Sequence, residues 1–114
     1  MQTVLENYAF TPDDWFTLGR ALLGEDLKIH AGLCFKAAVE TDCRHLGAWY
    51  NLAHCQEDLG LVAEAGRSLD FALKVDPQSE EIRFKLIQVL LRQGLKTEAF
   101  QVLWAGRKHK HGQP

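Results

Sequence analysis

Apolar residues recur along this chain with a helical rhythm, and the rhythm itself repeats every 34 residues. From Trp15 a step of 34 lands on Trp49, and the same step carries Leu18 to Leu52 and Leu86 without a gap. Small residues hold that register in two triples, Ala31, Ala65, Ala99 and Ala38, Ala72, Gly106. Bulky apolar residues recur as Phe35, Leu69 and Leu103, three to four residues from the small ones, which is helical spacing. A fixed period of this length marks a stack of repeated units. Each unit reads as a pair of helices, with small residues where backbones approach closely and large ones filling the space between. One hairpin cannot bury its apolar face alone, whereas three stacked hairpins share a continuous core.

Boundary signals divide the chain in the same way. Thr11 is placed to cap a first helix that has Pro12 at its first position and Asp14 near the positive end of its dipole. Ser79, followed by Glu80 and Glu81, opens the fifth helix similarly, and Pro77 closes the second repeat. Gly60 and Gly94, again 34 apart, stand where a first helix turns into its second, and Asp26 holds the equivalent turn of the first repeat. The predicted helices are 12–25, 28–41, 46–59, 62–75, 80–93 and 96–108. Residues 1–10 form an N-terminal extension, and 11–114 a single all-α domain with repeats of about 12–45, 46–79 and 80–111.

These residues resemble the tetratricopeptide repeat family, whose signature runs W-x2-L-G-x2-Y, then A-x3-F-x2-A and finally P. The first repeat matches with Trp15, Leu18, Gly19, Ala31, Phe35 and Ala38, and has Leu22 for the tyrosine and Cys43 for the proline. The second has Trp49, Leu52, Ala65, Ala72 and Pro77, and departs at Ala53, Gln56 and Leu69. The third keeps Leu86 and Ala99, while Arg83 replaces the tryptophan and Ile87 the glycine. The resemblance spans residues 12–111. It implies a right-handed superhelix of three helical hairpins, six helices in all, whose first helices line a concave groove holding a peptide or helix of a partner protein. An adaptor, scaffold or chaperone-like role follows from it.

Read in register, the first helices give that groove an aromatic column, Phe16, Tyr50 and Phe84. Beside it run two polar columns, Thr17, Asn51, Lys85 and Arg20, His54, Gln88. Aromatic rings offer contact area at low entropic cost, and amides or cations bind a ligand's backbone or carboxylate. The same aromatics could instead fill space between adjacent first helices, and the pattern leaves that reading open beside the favoured binding one. One subfamily clamps the acidic C-termini of heat-shock chaperones with lysine, asparagine and arginine at set positions. Here those positions hold Phe16, Arg20, Asn51, Glu81 and Lys85, so only Asn51 is retained and that clamp is not expected.

The last helix breaks the register. Phe100 aligns with Gly32 and Gly66, and Trp104 with Lys36 and Asp70, so aromatics four residues apart share a face. After Gly106 only Arg107 to Pro114 follow, shorter than the polar helix with which many members of the family cover their final hairpin. Phe100 and Trp104 are therefore expected to form a homodimer contact or a dock for another protein, unless Val4, Leu5, Tyr8 and Phe10 or the tail fold over them.

Charge sharpens the same polarity. Residues 1–82 carry six basic against fourteen acidic side chains, a net of −8, and residues 83–114 carry seven against one, a net of +6. Such ends favour subunit contacts, the basis of an alternative role as an oligomerising scaffold. The basic run Arg107, Lys108, His109, Lys110, His111 suits a solvated helix end better than nucleic acid, which is not expected as a partner. Cys34, Cys43 and Cys55 are odd in number and lack metal spacing, and adjacent His54 and Cys55 diverge on a helix, so neither disulfides nor a metal are expected. The first ten residues show no secretory or membrane-inserting pattern, and a cytoplasmic protein is expected. With no phosphate loop, nucleophile elbow or paired carboxylates, neither an enzyme nor a cofactor is expected.

Overall fold

The computed structural model describes residues 10–110, and the side chains of residues 10–107. Six helices follow one another: α1 Pro12–Gly24, α2 Lys28–Thr41, α3 Leu46–Asp58, α4 Val62–Val75, α5 Glu80–Arg92 and α6 Lys96–Lys110. The first helix of each hairpin ends one residue sooner than the sequence suggests, because Glu25, Leu59 and Gln93 are capping residues. The last helix runs to 110 and not 108. Val4, Leu5, Tyr8 and most of the basic tail lie outside the described residues.

Local chemistry fixes the ends. The Thr11 hydroxyl accepts from the Asp14 backbone N–H at 3.1 Å, and the Asp14 carboxylate accepts from the Thr11 N–H at 2.9 Å, a reciprocal capping box. Ser79 caps α5 through Ile82 N–H at 3.2 Å. His45 caps α3, its Nδ1 accepting from Ala48 N–H at 3.1 Å while Nε2 lies 3.0 Å from the Asp13 carboxylate. The tautomer with its proton on Nε2 satisfies both contacts, so one imidazole pins the start of α3 to the start of α1.

Every turn within a hairpin is built alike. Asp26, Gly60 and Gly94 have φ of 60°, 82° and 79°, and Leu27, Leu61 and Leu95 after them donate back to Leu22, Gln56 and Leu90. This left-handed closure satisfies helix-end carbonyls, which is why glycine or a turn-tolerant aspartate recurs there. Between hairpins a second device recurs 34 residues apart: Asp42 and Asp76 accept from the N–H groups of Arg44 and Gln78 at 3.0 and 3.1 Å.

Helices pack mainly on their sequence neighbours, and the molecule extends 53 × 33 × 18 Å. One core cluster joins Phe35, Ala31, Ala38 and Val39 of α2 to Ala48, Leu52 and Cys55 of α3. A second joins Ala65, Leu69 and Ala72 of α4 to Ile82, Leu86 and Val89 of α5. Close approach is explicit at Gly19, where an added Cβ would stand 2.6 Å from the Phe35 ring. Leu103 departs from its register: Phe35 and Leu69 are fully buried, but Leu103 is 49% exposed. No hairpin among the described residues packs beyond it.

Candidate functional site

The first helices α1, α3 and α5 carry the nine side chains expected in the groove, and their environments differ sharply. Phe16 is half-buried, with its ring centroid 4.8 Å from that of His45 and 5.9 Å from that of Phe35. Its tip lies over Gly47 of the next hairpin, where an added Cβ would come within 3.2 Å of it. Tyr50 likewise packs on the second core cluster, whereas Phe84, with no later hairpin over it among the described residues, is 63% exposed. Rings at one register position thus stand either between hairpins or open to solvent.

The polar columns divide in the same manner. Thr17, Arg20 and His54 are exposed, and the Arg20 guanidinium sits 5.7 Å from the Phe16 centroid in cation–π contact. His54 Nε2 lies 3.5 Å from the Asp58 carboxylate one turn on. Asn51 and Gln88 are half-buried, Asn51 donating to the Gly47 carbonyl at 2.9 Å. Tyr50 and Asn51 meet Glu81 and Ile82 at a cavity of about 270 Å³ between α3 and α5.

Lys85 is committed inside the molecule. Its Nζ lies 2.8 Å from the Glu57 carboxylate, which also pairs with Arg92, and the Glu57 side chain is only 3% exposed. Glu57 was not among the residues expected at this face. The signal for it was present: the same register position holds Leu23 and Leu91, so a carboxylate stands in an otherwise apolar column.

On α6, Phe100 and Trp104 are 66% and 56% exposed. The cysteines are free thiols, Cys43 exposed and the other two buried. Burial raises the Cys34 thiol, and Cys55 is pushed up to about 11 by burial first and by Asp58 second, with Lys28 pulling the other way. Neither is a poised nucleophile or ligand. Among the described residues no helix is long and apolar enough to cross a membrane.

No protein-family model and no curated protein sequence matches this chain. Solved structures do. MamA superposes with a TM-score of 0.81 at 16% identity over 96% of this chain and 64% of MamA, so the chain spans less than two thirds of that protein. SycD of Yersinia enterocolitica, in complex with a peptide of the translocator YopD, gives 0.75 at 19% identity, over 90% of this chain and 78% of SycD. PcrH, in complex with the chaperone-binding region of PopB, gives 0.75 at 20% identity, over 90% of this chain and 83% of PcrH. The fold is the tetratricopeptide-repeat superhelix. Its three hairpins stack so that the first helices meet, α1 on α3 where Phe16 lies over Gly47 and α3 on α5 where Glu57 pairs with Lys85.

Proposed function

We propose that this tetratricopeptide-repeat chain is a protein-binding module that holds a segment of a partner polypeptide against the concave face of α1, α3 and α5. The observation that carries this reading is the register of that face. At each step of 34 residues it sets an aromatic ring beside polar side chains, and Thr17, Arg20, His54 and Phe84 are open to solvent. Open polar groups next to rings are what an extended peptide needs for its backbone and side chains. The complexes of SycD and PcrH with segments of YopD and PopB support the reading, since both use the same fold. Adaptor, scaffold and chaperone-like roles all fit it, and we assign no catalytic residue. Free thiols, two of them buried, fit a reducing compartment such as the cytoplasm.

Peptides selected from a random library on the full chain should bind the double variant Arg20→Glu with His54→Glu about tenfold more weakly or worse. Both positions are exposed, so the fold is retained. Tyr50→Ala is a poorer probe, because Tyr50 packs on the core. Unchanged affinity of the selected peptides for the double variant would remove the groove from consideration.

A second reading rests on Phe100 and Trp104, two large aromatics exposed side by side on α6, which suit a homodimer contact. Sedimentation at high micromolar concentration should then show a dimer that Trp104→Glu dissociates. A monomer under those conditions rejects the contact.

A further inference from the structure

Both ends of the stack expose residues that its inner junctions bury. Among the described residues no hairpin precedes α1 and none follows α6. On α1, Asp14, Leu18 and Ala21 form one stripe, at spacings of four and three residues. Their register partners are Ala48, Leu52 and Cys55 on α3 and Ile82, Leu86 and Val89 on α5, all of them buried. Leu18 is instead 41% exposed, and Asp14 and Ala21 are open as well. At the other end Leu103 is exposed where Phe35 and Leu69 are buried, and Arg107 is exposed where Val39 is buried.

Neither end is loosely made. The capping box of Thr11 and Asp14 closes the start of α1. In the last hairpin Arg83 stands in the register of Trp15 and Trp49. Its Nη2 donates to the Pro77 carbonyl as the Trp49 indole N–H donates to the Cys43 carbonyl, and Gly106 leaves room for the guanidinium. Between α5 and α6 lies a cavity of about 280 Å³ whose walls include Phe84, Ile87, Leu103 and Arg107. One repeat earlier the matching residues are Tyr50, Ala53, Leu69 and Leu73, and there Ile82 and Leu86 of the next hairpin share a core cluster with them. The residues of α1 in register with Ile82 and Leu86 are Asp14 and Leu18.

The two end faces complement one another in size and in charge. At the inner junctions a glycine of the second helix faces a larger side chain of the next hairpin: a Cβ on Gly32 would stand 3.6 Å from Cys55, and one on Gly66 would stand 3.6 Å from Val89. At the ends the sizes are exchanged, with Phe100 in the glycine register and Ala21 in that of Cys55 and Val89. Val39 shares a core cluster with Ala48, and Leu73 packs on the cluster of Ile82. The residues at those two register positions on the ends are Arg107 and Asp14, a cation and an anion.

We infer that the C-terminal end of one copy of this chain seats the first hairpin of a second copy, head to tail. Leu18 of the second copy enters the cavity beside Phe84, Ile87 and Leu103, Phe100 lies on Ala21, and Arg107 pairs with Asp14. Burial of the leucines and the ring drives the contact, and the ion pair selects the facing ends. This inference rests on the reading of α6 as a self-contact and changes its geometry, since Phe100 meets α1 of the next copy and not a second α6. A contact between unlike faces leaves one of each free, so the stack continues as an open chain of copies.

Sedimentation of the full chain across the micromolar range should show an average mass that rises with concentration beyond two copies. Leu18→Glu and Leu103→Glu each place a charge on one face, and each variant alone should remain monomeric. Mixed in equal amounts they should form a dimer of one copy of each and grow no further, because each supplies the face that the other lacks. Adding Arg107→Glu to the Leu18→Glu copy should weaken that dimer at least about tenfold, by setting two carboxylates against each other. Both leucines are exposed, so both variants keep the fold, and Ala21→Glu provides a second block of the α1 face. A dimer that survives both Leu18→Glu and Ala21→Glu joins two α6 helices and overturns the head-to-tail contact alone. A wild-type chain that stays monomeric at high micromolar concentration overturns every self-contact, and blocked variants that fail to pair when mixed overturn this one.

Discussion

Phe35→Ala should lower the unfolding free energy by about 4 kcal/mol, near the upper end for large-to-small changes in a core. Phe35 has no exposed surface and joins α1 to α2 within the first hairpin. The ring leans on bare backbone at Gly19, so there is no side chain there to swing into the space it leaves. The helices are also held apart by their connections, through the closed turn at Asp26 and the His45 contact to Asp13, which limits collapse. A urea midpoint that falls with little change in slope is the expected signature. The sharper check is Gly19→Ala. In the native background its Cβ meets the ring at 2.6 Å and should cost about 2 kcal/mol. In the Phe35→Ala background the same change should be neutral or stabilising, since the clash is gone and alanine favours the helix. Equal costs in both backgrounds would mean that the ring does not rest on Gly19.

That packing was legible in the sequence because the stack reuses the same local solution. The turn between paired helices needs one left-handed residue, and Asp26, Gly60 and Gly94 announced it at intervals of 34. Alanines at 31, 38, 65 and 72 announced the close approaches, and all are fully buried. The binding face was less legible, for a physical reason. Register assigns a residue to a column but does not say whether the next hairpin covers it. Phe16 and Tyr50 are half-buried at the junctions and Phe84 is exposed, though all three share one position. Charge pairing across hairpins was hidden in the same way. Lys85 reads as a free cation on α5 until α3 places Glu57 against it. In sequence Arg83 reads as a lost tryptophan, whereas in the fold it keeps the hydrogen bond and adds a buried charge.

Glu57→Ala should cost about 3 kcal/mol, more than removing either of its partners, because the three groups differ in burial. The Glu57 side chain is 3% exposed, that of Lys85 14% and that of Arg92 59%. Removing the carboxylate leaves the Lys85 ammonium shielded from water with no counter-charge, and breaking a shielded pair from one side carries the desolvation penalty of the partner left behind. Arg92 can turn to solvent, so Arg92→Ala should cost no more than about 1 kcal/mol. Lys85→Ala should fall between them, since Glu57 keeps Arg92. Replacing both buried members with apolar residues, Glu57→Leu with Lys85→Met, should recover most of the loss, and leucine is already the residue at the matching positions 23 and 91. Denaturation of the four variants at one ionic strength decides the matter. Three small and equal single-variant costs would show an exposed ion pair of little weight. The predicted order, with recovery in the double variant, would establish that Glu57 locks the second hairpin to the third.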